Sequence, residues 1–493
     1  MQNGTLLAAV DLGSNSFRLE IGRFEHGQIQ RVEYLKETVR QGNGLDEERN
    51  LTPEALQRGW DCLARFAERL AGFRRDQVRA VATQTLREAR NRDDFIRRGN
   101  ALLGFPIDVI AGAEEARLIY QGVARLLPQS DERRLVVDIG GRSTEVVLGQ
   151  GYAASAVASY RVGSVSWSSR YFADGQFTTQ AFRGAEVAAR AVLEEALESY
   201  PRGAWDVAYG ASGTVGAVGD ILAALGDAPA GTITRAALER LQARLLRAQS
   251  ADKVRLEGLK DDRRPVIGGG VSVLRAVFDV LDIERMQVAQ GALRQGVLYD
   301  LLERELPTTD LRAATVRALM QRFAVDAPQA ERVARVANQL FEQVAPAGSE
   351  RAARKLDWAA RLHEIGCRIS HDGYPRHGAY ILDNTDAAGF AQPELHLLST
   401  LVLGQRGKVR KLDADLDNLQ FVTQLLCLRL ALALCHARRD PDMAGSALAR
   451  RGAVFTFAAR AGWAAAFPQS AHLLAEEAVA WQKSPWSLAL DLP

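Results

Sequence analysis

Lysine is almost absent from this chain: only seven of its 62 basic residues are lysines (Lys36, Lys253, Lys260, Lys355, Lys408, Lys411 and Lys483), and the rest are arginines. Arginine forks suit phosphate oxygens, but a GC-rich genome gives the same bias, so it assigns nothing by itself. Cysteine is scarce too. Cys62, Cys367, Cys427 and Cys435 lie far apart with no CxxC pair, so no disulfide or zinc framework is implied and the thiols read as buried apolar groups in a reducing compartment. No run reaches the roughly 18 uninterrupted apolar residues that span a bilayer, and the opening MQNGTLLAAVDLGSNS has no basic flank of a signal peptide. The expectation is a cytoplasmic protein without stable membrane insertion. A net charge of only +2 carries no DNA-binding signature, and the absence of a GxxxxGK[ST] sequence sets a P-loop NTPase aside.

What is present is ordinary globular composition, 47% apolar and 25% charged over 493 residues, too long for a single core. Leu6 to Val10 reads as a buried strand, Phe17 to Ile21 as a second and Ile29 to Tyr34 as a third. A helix follows from Thr52, capped by that residue with Pro53 in its first turn. The opening recurs at Leu135 to Val137, with Asp138-Ile139-Gly140-Gly141 as a turn and Glu145 to Leu148 returning. A strand at Val207 to Tyr209 leads into the loop Gly210 to Thr214 and a helix from Val215. After about residue 306 strand signals fade and helical spacing dominates to about 438. A hairpin, a helix and a final apolar strand close the chain.

A strand that ends in Asp-x-Gly and turns through Ser, Asn or Thr directs backbone N–H groups outward and forms a concave anion site. One such turn is more commonly a plain hairpin; two in matching contexts reverse that preference. The hydroxyls of Ser14, Ser16, Ser143 and Thr144 add donors. The carboxylates Asp11, Asp138 and Glu145 are too negative to meet phosphate unaided and call for a divalent cation, most simply Mg²⁺. Duplicated hairpins in two half-domains imply the cleft of the sugar kinase, heat-shock ATPase and actin superfamily.

The segments AVDLGSNSFRL (9–19), TLREARN (85–91), IAGAEEARLIYQGV (110–123), VVDIGGRSTEVV (136–147), VGSVSWSSRYF (162–172), YGASGTV (209–215) and GALRQGVLY (291–299) occur in order, followed by LHEIG (362–366) and HGAYIL (377–382). With these the chain resembles the exopolyphosphatase and guanosine pentaphosphate phosphohydrolase family along essentially its whole length. The resemblance implies an α/β fold of two actin-like (ribonuclease H-like) half-domains forming a cleft, then an all-helical degenerate HD-like domain and a small α+β C-terminal unit. The boundaries expected are 1–127, 128–305, 306–438 and 439–493. It implies Glu115 as general base and Arg87 as a phosphate-contacting arginine. It places phosphate on Gly13, Ser14, Asn15 and Ser16 and on Gly140, Gly141, Arg142, Ser143 and Thr144, and makes Asp138 and Glu145 metal- or water-organising carboxylates; Asp11 is expected to join them at the metal, and Gly213 of the third loop to add a phosphate contact. Glu114 is expected to be structural.

Two features depart from that pattern. The second loop is commonly DIGGGSTE in relatives, and here Arg142 replaces the third glycine; a positive φ there would strain it by roughly 1 kcal/mol, and its guanidinium is expected to lean toward the anion. In the helical region His363-Glu364 stands where a working HD site needs adjacent His and Asp, so too few ligands remain for a transition metal. Arg406, Lys408, Arg410 and Lys411 form a candidate basic track for a long anion. The leading expectation is an exopolyphosphatase acting on inorganic polyphosphate as a homodimer, with the run AYILDNTDAAGF (379–390) read as closer to that branch. The alternative is hydrolysis of guanosine pentaphosphate by the same groups. A non-catalytic phosphate or nucleotide sensor and an actin-like kinase are the readings from other classes.

Overall fold

The computed structural model describes residues 2–128, 130–304, 310–346, 348–409, 412, 416–482 and 484–493. The chain divides into two compact units, Met1–Thr309 and Asp310–Pro493.

The first unit is built on two sheets. Strand β1 (Leu6–Leu12, LLAAVDL) is buried at nearly every position, as a run apolar on both faces must be at the centre of a sheet. β2 (Phe17–Glu25) and β3 (Gln28–Glu37) return antiparallel, while β4 (Val78–Ala82) and β5 (Ile107–Val109) lie parallel on the other side, giving the order β3-β2-β1-β4-β5. The second sheet is formed by β6 (Arg133–Ile139), β7 (Thr144–Gln150), β8 (Ala153–Tyr160), β9 (Val207–Ala211), β10 (Thr232–Thr234) and β11 (Arg285–Val288), in the order β10-β11-β9-β6-β7-β8. Both sheets therefore share one plan, an antiparallel three-strand meander with a parallel strand against the outer side of its first strand. In register, Asp11 faces Arg18 across the first hairpin and Asp138 faces Glu145 across the second. This duplication is the actin-like arrangement the sequence implied.

Helix Pro53–Arg69 starts as its sequence dictates, with the Thr52 hydroxyl accepting from Ala55 N at 3.3 Å and Pro53 in the first turn. One element left no signal in the sequence, and one differs from expectation. Gln84–Glu88 forms a short helix, too brief to leave a periodic signal. The segment read as the loop Gly210 to Thr214 is a strand-to-helix junction, since β9 runs to Ala211 and the next helix, Ser212–Ala224, starts at once.

Helix Leu293–Arg304 closes the unit by crossing back to the first sheet. Ile29 N donates to the Tyr299 hydroxyl at 3.2 Å and the Gln295 amide donates to Glu20 at 2.7 Å. It also packs on helix Gly112–Ala124 so closely that a Cβ at Gly122 would lie 2.0 Å from Ala292 O, and one at Gly296 would lie 1.8 Å from Leu118 O. Only glycine permits this approach. Beside the contact, Asp300 accepts from Arg117 at 2.6 Å and Arg304 at 2.5 Å and also meets Arg79. Burial opposes its ionisation, yet these guanidiniums hold its carboxyl below the usual carboxylate range. Glu114 joins the network through Arg117 at 2.7 Å, so one face of helix Gly112–Ala124 is anchored by buried charge.

The second unit is helical with a three-stranded sheet of β12 (Ala447–Arg451), β13 (Val454–Ala458) and β14 (Ser487–Asp491). Phe455, Phe457, Trp463 and Trp481 lie in one apolar core with Leu356, Leu425 and Leu428 of the helices. His363 is buried, its Nδ1–H donating to Ala360 O at 2.7 Å, and burial lowers its pKa. Glu364 is taken by Arg438.

Candidate active site

Both hairpin loops open onto one cleft of about 440 Å³ in the first unit. β1 and β6 each continue one residue past the acid, so Asp11 and Asp138 are held by the sheet ladders and are not turn residues. Gly13, Ser14, Asn15, Ser16, Gly140, Gly141, Ser143 and Gly213 line the cleft together with Asp11, Asp138 and Glu115.

Glu115 enters from the first turn of helix Gly112–Ala124. Its carboxylate accepts from Arg87 Nη1 at 2.7 Å, and the same nitrogen reaches Ile110 O at 2.9 Å. Burial raises the Glu115 pKa, with Arg87 opposing and Asp11 reinforcing the shift. Asp138 is raised to about 7, chiefly by burial and then by Glu115, against a weaker pull from Arg18. Among the described residues no hydrogen bond or ion pair reaches its carboxylate. Asp11, by contrast, accepts from Arg18 at 3.2 Å and has Arg294 at 3.5 Å.

Several expected contacts fall elsewhere. Glu145 is buried behind the floor, where it accepts from the Ser159 hydroxyl at 2.7 Å, and burial, Glu115 and Asp138 raise its pKa well above the usual range. The Thr144 hydroxyl donates to Val162 O at 2.6 Å and is spent on the backbone that follows β8. Arg142 has no positive φ, so the anticipated strain is absent. Its guanidinium does not lean into the cleft: it donates to Glu88 at 2.8 and 3.2 Å and to Gly42 O at 3.1 Å. Nor do Asp11, Asp138 and Glu145 converge as a metal cage, because no group of three or more His, Cys, Asp or Glu among the described residues is placed to hold an ion.

The sequence reading overlooked the cations of the cleft. Arg18, Lys36, Lys260, Arg263 and Arg294 line it with Tyr34, and they come from four segments brought together only by folding. One signal was available: two of only seven lysines lie here. The third loop contributes through Ser212, which takes φ +82°, donates to Ile139 O at 2.8 Å and accepts from Thr214 N at 3.3 Å. This turns the N-terminus of helix Ser212–Ala224 toward the cleft, a position that favours anions.

In the second unit Arg406 lies 5.6 Å from the Tyr374 ring centroid, and with Lys408 it lines a separate groove of about 910 Å³. Arg410 and Lys411 fall outside the described residues. No described helix is long and apolar enough to cross a membrane.

Duplicated sheets, loops of anion-binding type and a carboxylate floor define an actin-like, phosphate-handling protein. The chain belongs to the Ppx/GppA phosphatase family, whose pattern matches residues 21–305, with domain III of that family matching 311–478; it is a phosphohydrolase of that family. It is 42% identical over 446 residues to guanosine-5'-triphosphate,3'-diphosphate pyrophosphatase of Vibrio atlanticus, covering 89% of this chain and 88% of the relative. The enzyme of the same name from Vibrio vulnificus is 38% identical over 495 residues, covering 99% of each. Among solved structures, an exopolyphosphatase-like protein is similar with a TM-score of 0.55 and 26% identity, over 61% of this chain and 98% of its own. The family expectation therefore holds, while the preference for polyphosphate over the guanosine nucleotide gains nothing from these two relatives.

Proposed function

We propose that this chain hydrolyses the terminal 5′ phosphate of guanosine-5'-triphosphate,3'-diphosphate. The observation that carries the reading is Glu115, a buried carboxylate held by Arg87 on the floor of a cleft lined by both loops. Water attacks the terminal phosphorus, its proton passes to Glu115, and the bond to the bridging oxygen breaks to leave orthophosphate and the nucleotide bisdiphosphate. A well-placed carboxylate base whose pKa burial raises above its ordinary value suits this step, and such a base contributes roughly 10²–10⁴-fold. Positioning and charge neutralisation supply most of the rest. The two loops orient the terminal phosphate, and Arg18, Arg263 and Arg294 face its negative charge. Names and extents of the Vibrio relatives support the nucleotide as substrate.

Mg²⁺ fits the floor in a limited way. It keeps several waters and needs only one or two carboxylates plus phosphate oxygens, and Asp138, raised to about 7 and unpaired among the described residues, is the donor such an ion would use. Bound there, the ion would neutralise charge on the phosphate chain.

Hydrolysis of inorganic polyphosphate is the second reading, favoured by the likeness to the exopolyphosphatase-like structure. Phosphate release is measured with guanosine-5'-triphosphate,3'-diphosphate and with long-chain polyphosphate, each with Mg²⁺. The expected result is one phosphate per nucleotide at the higher kcat/KM. Faster release from polyphosphate would exchange the two readings, and release from neither would favour a sensor.

A further inference from the structure

One continuous hydrogen-bonded chain joins the second loop to Glu115. Arg142 Nη2 and Nε donate to Glu88 Oε2 at 2.8 and 3.2 Å. Glu88 Oε1 accepts from Gln84 Nε2 at 2.6 Å, and Gln84 Oε1 accepts from Arg87 at 2.6 and 3.2 Å. Arg87 then donates to Glu115 at 2.7 Å. A branch reaches the first loop, since Arg142 Nη1 donates to Gly42 O at 3.1 Å and Gly42 N donates to Ser14 O at 2.7 Å. Burial alone would raise the Glu88 pKa, but Gln84 and Arg142 keep it below the usual carboxylate range, so the pair with Arg142 is a charged one. The side chains are 26% and 14% exposed, shielded enough for the fork to hold a fixed direction.

We propose that Arg142 is a positioning residue that clasps the second loop to the first and, through Glu88, Gln84 and Arg87, sets the direction of the Glu115 carboxylate. The inference rests on Glu115 acting as the base. A planar fork is required, because a lysine can keep the Glu88 contact but cannot hold Glu88 through two nitrogens while a third reaches Gly42. Glycine or alanine at this position would leave the short helix Gln84–Glu88 without its tie to the second loop.

Steady-state hydrolysis of guanosine-5'-triphosphate,3'-diphosphate with Mg²⁺ is measured for Arg142→Ala, Glu88→Gln, their double variant and Arg142→Lys. Misaligning the base should lower kcat on the order of 10-fold in Arg142→Ala and in Glu88→Gln, with KM moving less than about threefold. The double variant should be no worse than the poorer single one, because both break the same chain, and Arg142→Lys should fall between wild type and Arg142→Ala. A raised KM at unchanged kcat would make Arg142 a phosphate ligand and overturn the proposal, as would fully additive losses. Glu115→Gln is measured alongside. If it is inactive while Arg142→Ala and Glu88→Gln match wild type, the clasp alone fails; if it retains wild-type kcat, the base assignment fails. Should Arg142→Ala not fold, the near-isosteric Glu88→Gln and Arg142→Lys still decide the question.

Discussion

The loops at Asp11 and Asp138 share a hairpin plan but differ in what neutralises their carboxylates. Asp11 has Arg18 and Arg294 beside it, whereas Asp138 is buried without such a partner among the described residues and is raised to about 7. Duplication has thus supplied two copies of one backbone and let the side chains around them diverge. One acid is compensated by the protein; the other is left to a proton or a bound cation. Burying an uncompensated carboxylate costs several kcal/mol, a cost more common at functional sites than in structural cores.

The sharpest break of this comparison is to remove each acid in turn. Asp138→Asn should lower kcat by about 10²–10³-fold and weaken the response to Mg²⁺, as the loss of a preorganised electrostatic group does. Asp11→Asn should cost less and leave the Mg²⁺ response in place, because Arg18 and Arg294 remain. Equal losses with equal Mg²⁺ titrations would show the two acids to be interchangeable.

A second test makes the first loop resemble the second. Arg294 bridges Asp11 and Glu20, the latter at 3.1 Å, with a side chain 14% exposed. Arg294→Ala should destabilise the protein by about 3 kcal/mol, the usual result of stripping one partner from a buried ionic cluster. Chemical denaturation reads this directly, and an unchanged midpoint would mean Arg18 alone compensates Asp11.

The third is a pH test in metal-free buffer. A carboxyl whose folded pKa lies above its unfolded value favours the fold while protonated, so its contribution is fully present below the unfolded pKa near 4 and lost as pH rises through about 7. Asp138→Asn removes that loss. Its melting temperature should match wild type near pH 4 and exceed it by about 5 °C at pH 8; a pH-independent difference would show that Asp138 ionises normally.

The smallest effect is expected away from both loops. Neutralising Arg406 and Lys408 should lower affinity for long polyphosphate by roughly twofold, as exposed charges do, and leave short chains unaffected. Equal loss for both lengths would count against a basic track.

Much of the fold was legible because its signals are local. LLAAVDL and RLVVDI announce buried strands, Thr52-Pro53 announces a helix start, and the repeat of Asp-x-Gly announces the duplication. The site was legible less evenly. Ser14, Asn15, Ser16 and Glu115 line the cleft, a place that follows from the turn or helix that carries each of them. Thr144 and Glu145 were harder: they follow the second loop in sequence, but their polar groups are taken by Val162 O and the Ser159 hydroxyl of distant segments, which no local pattern announces.

The amino-acid sequence by itself determined the two hairpins, the helical second half and the carboxylates of the floor, because hydrophobic period and turn chemistry act over a few neighbours. The tertiary structure alone decided which charges meet. It brought Lys36, Lys260 and Arg263 to one wall, returned helix Leu293–Arg304 to the first sheet and aimed Arg142 at Glu88 across 54 residues of chain. Such pairings depend on packing between distant segments, to which no local pattern is sensitive.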